Sequence, residues 1–123
     1  MNNAEFRFLR VECQGLAGSD PLFVDVVLGN DGFVKRGPPY CGWWGKIRST
    51  EVWPFVAKIF DDDCYVLDFG SNAEDDQTER YWLFNLFVGV IEVGRRFKFK
   101  YDDEWHDFRV ARMTDILTGE VID

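Results

Sequence analysis

Residues 96–110 read RFKFKYDDEWHDFRV, and their apolar positions alternate: Phe97, Phe99 and Tyr101 fall on one side, Arg96, Lys98 and Lys100 on the other. A period of two is that of a strand with one buried face, because successive side chains point to opposite sides of a sheet. Asp102 to Trp105 then reads as a four-residue loop, which sets Tyr101 opposite His106, Lys100 opposite Asp107, Phe99 opposite Phe108 and Phe97 opposite Val110. This register keeps one face apolar, whereas a slip of one residue would put Phe99 against Asp107. The hairpin points to an antiparallel β fold.

Working towards the N-terminus, Arg80 to Val93 is dense in Tyr, Trp, Phe, Val and Ile and is apolar on both faces. It reads as the central strand, bent near Gly89. Cys64 to Phe69 reads as a short strand, and the polar stretch Ala73 to Glu79 as an exposed loop. Glu5 to Cys13 and Leu22 to Leu28 are rich in β-formers and are separated by a turn-forming cluster from Gly15 to Pro21. The run Gly29-Asn30-Asp31-Gly32 before Phe33 to Lys35 signals a hairpin, since Asn, Asp and Gly tolerate positive φ. A two-residue loop there would set Asp25 against Arg36, and a loop including Gly32 would shift every pair. Met113 to Asp123 fits a short final strand or a loose tail.

One segment breaks the β pattern. Between Thr50 and Phe60, Val52, Phe55, Val56, Ile59 and Phe60 follow helical spacing, with Thr50 as a cap and Glu51 in the first turn. Against a helix stand Pro54 and the triple Asp61-Asp62-Asp63 at the unfavourable end of the dipole. The expected class is therefore α+β, mainly antiparallel β: a strongly bent sheet or half-open barrel of about six to seven strands, with one amphipathic helix over residues 50–60 packed on it. No linker divides residues 1–123, so a single domain is expected. A content of 46% apolar and 17% aromatic residues is enough to fill its core.

The formal charge of −8 argues against general affinity for nucleic acid. The first twelve residues include Glu5, Arg7 and Arg10, unlike a secretory signal, and the longest apolar run, Tyr81 to Ile91, is too short to span a bilayer. With an odd, unpaired set of Cys13, Cys41 and Cys64, the expectation is a cytoplasmic protein with reduced thiols, bound to neither membrane nor nucleic acid.

Chemistry is sparse in the sequence. His106 is the only histidine, so a two-histidine metal site is excluded, and a Cys41 nucleophile with His106 as base has no local support. The acidic runs Asp61-Asp62-Asp63, Glu74-Asp75-Asp76 and Asp102-Asp103-Glu104 lack the alternation and glycine of a calcium loop and read as solvated turns. Phosphate-loop and dinucleotide spacings are absent, and no catalytic residue, metal or cofactor is expected. Arg36 to Gly45, RGPPYCGWWG, reads as an aromatic loop. The excess of aromatic residues points to binding, with Tyr40, Trp43, Trp44, Trp105 and His106 as the candidate residues. The leading expectation is a non-enzymatic interaction protein of the inhibitor or immunity-like accessory kind, forming a homodimer or holding a protein partner. Its rival is a Trp/Phe-lined pocket that selects aromatic or cationic organic ligands.

Overall fold

The computed structural model describes residues 6–46, 51–70 and 82–122. These residues form an all-antiparallel meander: β1 (Phe6–Gly15), β2 (Leu22–Gly29), β3 (Tyr40–Gly45), β4 (Val52–Ile59), β5 (Tyr65–Asp68), β6 (Trp82–Phe84), β7 (Arg96–Tyr101), β8 (Glu104–Asp115) and the short β9 (Val121–Ile122). Each strand pairs with the next, and β8 also pairs with β1, so the first eight strands close into a barrel. Closure requires one irregularity. Glu12 faces Arg112 and Cys13 faces Val110, leaving Ala111 as an extra residue in β8. This bulge lets both Val110 and Met113 point inward and turns the strand around the barrel.

The expected α+β class is overturned: among the described residues, the helical content is a 3₁₀ turn over Leu86–Val88. Residues 52–59 are a strand, not a helix, and the cap assigned to Thr50 lies outside the described residues. β-branched and aromatic residues dominate this segment, and its inner side is made by Phe55 and Ala57, both buried. Pro54 is tolerated because β5 pairs with β4 only from Val56 to Ile59, which leaves Pro54 beyond that ladder. The half-open barrel of six to seven strands becomes a closed one of eight.

The interior is filled by side chains. Leu9, Val11, Leu22, Val24, Tyr65, Leu67, Phe84, Phe99, Phe108 and Val110 are almost completely buried. Aromatic rings interlock edge to face through this core, as in the Phe84–Phe97 and Phe99–Phe108 pairs, with centroids 6.4 and 5.4 Å apart. The expected long central strand is also corrected. β6 ends at Phe84, and Leu86, Phe87 and Ile91 turn inward to plug one end of the barrel. Arg95 holds this plug by donating to the backbone carbonyls of Leu86, Gly89 and Val90.

Both hairpins resolve to particular turns. The Asn30-Asp31-Gly32 loop is the three-residue alternative: Gly32 N–H donates to Gly29 O, Gly29 N–H donates to Phe33 O, and Gly32 has φ +87°. The β7–β8 turn has two residues, not the expected four. Asp102 and Asp103 both take positive φ (53° and 62°), the signature of a type I′ turn. The register moves by two: Phe99 faces His106, Phe97 faces Phe108, and Arg96 faces Arg109. A shift of two preserves the faces, so the apolar side still points inward.

Candidate functional site

The five candidate binding residues divide among three places. Tyr40 begins β3 with its ring in the core, 5.6 Å edge to face with Phe87, and its hydroxyl donates to Lys35 O. Burial, with the neighbouring Tyr65 hydroxyl adding to it, raises the Tyr40 phenol to about 12. Tyr40 is thus part of the fold, and the expected aromatic loop Arg36 to Gly45 is a loop only as far as Pro39, its aromatic residues all lying in β3.

Trp44 and His106 close the other end of the barrel. Trp44 lies edge to face with Phe99 and 4.8 Å from Tyr101, and its Nε1–H donates to Asp20 O at 3.2 Å. His106 stacks on Tyr101 at 3.7 Å, with the planes 13° apart, and the Tyr101 hydroxyl shares a hydrogen bond with Ser19 Oγ. These rings form a lid over the core. Cys41 lies on the outer side of β3, exposed, while His106 sits on the inner rim of β8, a strand that does not neighbour β3. The structure does not bring the two together.

Trp43 and Trp105 point outward. Trp43 stacks flat on Phe23 at 4.8 Å and carries the Arg10 guanidinium over its ring at 4.9 Å, and Arg10 in turn grips Asp25 through two hydrogen bonds of 2.8 and 2.9 Å. The apolar surface continues from this pile. Phe8 pairs with Val27 on β2 and accepts, through its carbonyl, the Ile116 N–H beyond β8; Phe6 lies opposite Gly29, which itself faces Phe33. Val121 lies opposite Thr114, with β8 between it and Arg10. Phe6, Phe8, Phe33, Ile116 and Val121 are each 43–53% exposed on this one outer face. Between Phe6 and Phe33 lies a shallow hollow of about 220 Å³, and the Lys35 ammonium sits 5.3 Å over the Phe6 ring.

A second hollow, of about 380 Å³, is lined by Cys41, Pro54, Phe55, Val56, Asp68 and Phe69. Asp68 is held below the ordinary carboxylate range by the Gly70 N–H and by Lys58 Nζ at 3.1 Å. No group of three metal-ligating side chains converges among the described residues, and no described helix is long and apolar enough to cross a membrane.

No family model, curated protein or solved structure matches this chain. The functional reading therefore rests on the geometry alone. Pattern reading had no means of finding Phe6, Phe8, Phe33, Ile116 and Val121 as a set, because they are brought together only by β1 pairing with both β2 and β8.

The three thiols provide a direct check on this geometry. Burial pushes the Cys13 thiol far up, and burial with Asp61 and Asp63 nearby raises Cys64, whereas Cys41 is exposed. Titration of the native protein with a disulfide reagent is expected to modify Cys41 first, Cys64 more slowly, and Cys13 only after denaturant is added. Early reaction of Cys13 would refute the closed β1–β8 seam.

Proposed function

We propose that this barrel is a non-enzymatic interaction protein whose apolar outer face, centred on Phe8, docks a second copy of the chain. The observation that carries this reading is the contiguous set Phe6, Phe8, Phe33, Ile116 and Val121 on a sheet face, where a stably solvated barrel would present polar side chains. The rim charges support a second copy over a charged partner. Arg10 and Lys35 stand among Asp25 and Asp31, so this part of the face is locally neutral on a chain of net charge −8. A two-fold apposition brings cation to carboxylate and avoids the repulsion that the rest of the surface would impose.

Light scattering over a wide range of protein concentration tests this reading. The wild-type chain is expected to weigh twice its monomer mass, and Phe8→Glu, which keeps an exposed position exposed, is expected to halve it without lowering the melting temperature measured at monomeric concentration. A wild-type monomer throughout the range, or a variant that stays dimeric, defeats the proposal.

The second hollow favours an alternative, a site for an organic cation over Pro54 and Phe69 beside Asp68. Lys58 already occupies that carboxylate, so a cation must displace it. Quenching of tryptophan emission by aryl ammonium compounds, lost in Asp68→Asn, would favour this reading.

A further inference from the structure

The outer side of the β7–β8 hairpin has the opposite character to the apolar face. Register sets Arg96 opposite Arg109, Lys98 opposite Asp107 and Lys100 opposite Trp105, while on the β1 side Arg109 faces Gln14 and Arg112 faces Glu12. Lys98 Nζ is satisfied by Asp107 at 3.0 Å. Among the described residues, Arg96, Lys100, Arg109 and Arg112 make no ion pair with a carboxylate. Two arginines directly across a β ladder repel each other and cost stability. On a chain of net charge −8, four unpaired cations gathered beside a tryptophan that is 47% exposed are a departure from the average surface. An anion between the guanidiniums would reverse that cost, since each presents a planar fork of donors to a carboxylate.

We propose that this face binds a short, extended acidic segment of a partner protein. Arg96 and Arg109 hold one carboxylate between them, Lys100 takes a second, and Trp105 packs against an apolar residue that flanks it. Arg96 and Lys100 stand four residues apart on one strand, a rise of roughly 13 Å, so the segment carries acidic residues four apart. The pair Lys98–Asp107 lies between these positions and is already neutral. That spacing of cation, neutral pair and cation selects discrete charges. A continuous phosphodiester chain would run across Asp107 and onto an acidic surface, where its remaining charges are repelled. The site is separate from the apolar face, and its failure or success leaves the dimer reading untouched.

The test uses the full chain and three fluorescein-labelled probes: an octapeptide with two glutamates four apart followed by phenylalanine, the same peptide with lysine for glutamate, and an oligothymidylate of equal length. The acidic peptide is expected to bind saturably, to change tryptophan emission in a manner lost in Trp105→Ala, and to weaken at least tenfold in Arg109→Glu. The same Arg109→Glu is expected to raise the melting temperature by about 1–4 °C, because it replaces a like-charge cross-strand pair with an opposite one. Phe8→Glu is expected to bind the peptide as the wild type does. Failure of the acidic peptide to bind, binding unchanged in Arg109→Glu, or a lower melting temperature in that variant overturns the proposal. Tighter binding of the oligothymidylate overturns it in favour of a nucleic-acid face.

Discussion

Gly42→Ala is expected to destabilise the barrel by about 3 kcal/mol or more, at the upper end of what overpacking costs. A Cβ at this position would lie 2.1 Å from the Phe23 carbonyl oxygen and 2.6 Å from Phe55 Cζ. The first of these is backbone in the neighbouring strand and cannot swing aside, because Gly42 lies opposite both Val24 on β2 and Phe55 on β4. Glycine is required here for close approach, not for an unusual φ. Gly18→Ala gives the comparison. It has φ +85° with nothing within 4 Å of the added carbon, so only the left-handed conformation is strained, at roughly 1–2 kcal/mol. Urea unfolding followed by tryptophan emission reads both, and equal losses at the two sites would mean that contact at Gly42 is relieved by movement of β3.

Phe99→Ala is expected to cost about 3–5 kcal/mol, the range for emptying a buried aromatic site. Phe99 is fully buried and touches Trp44, Tyr101 and Phe108, with centroids 5.2–5.4 Å away, so its loss empties the space beneath the Trp44 and His106 lid. For a domain with a total stability of roughly 5–15 kcal/mol this is a large share, and the unfolding midpoint falls while the denaturant slope stays constant. Phe99→Leu, which keeps most of the volume, should lose markedly less. Indistinguishable midpoints for the two variants would contradict a close-packed interior.

Much of the β character was legible, and the errors have physical causes. Alternation at Phe97, Phe99 and Tyr101 gave the correct inner face, yet a four-residue and a two-residue turn keep the same parity, so the pattern could not separate them. The choice depended on Asp102 and Asp103 accepting left-handed backbone. That error mattered for the site. In the four-residue register Arg96 would face Ala111, so the Arg96–Arg109 pair follows only from the two-residue turn.

Residues 52–59 suited a helix because Val52 and Val56 on the outer wall are apolar as well as Phe55 inside. A strand with apolar residues on both faces loses its period of two. The aromatic candidates do not lie in one place, for a simpler reason. Trp43 and Trp44 are adjacent in a strand and must lie on opposite sides of the barrel wall, one on Phe23 and the other on Phe99. The apolar face was illegible because its members come from β1, the Asn30 hairpin, the end of β8 and β9, and only closure makes them neighbours.

The β1–β8 seam joins segments about a hundred residues apart, as in the pairing of Val11 with Met113. Such a contact yields nothing until the long loop between its partners has been closed, so it forms late and sets the pace of folding. During synthesis, β1 to β7 emerge first as an incomplete sheet with two open edges, each a template for pairing with another chain. The arrival of β8 removes both edges at once. The finished barrel therefore has little tendency to add strands, whereas the nascent chain passes through its most aggregation-prone form just before its last long strand is made.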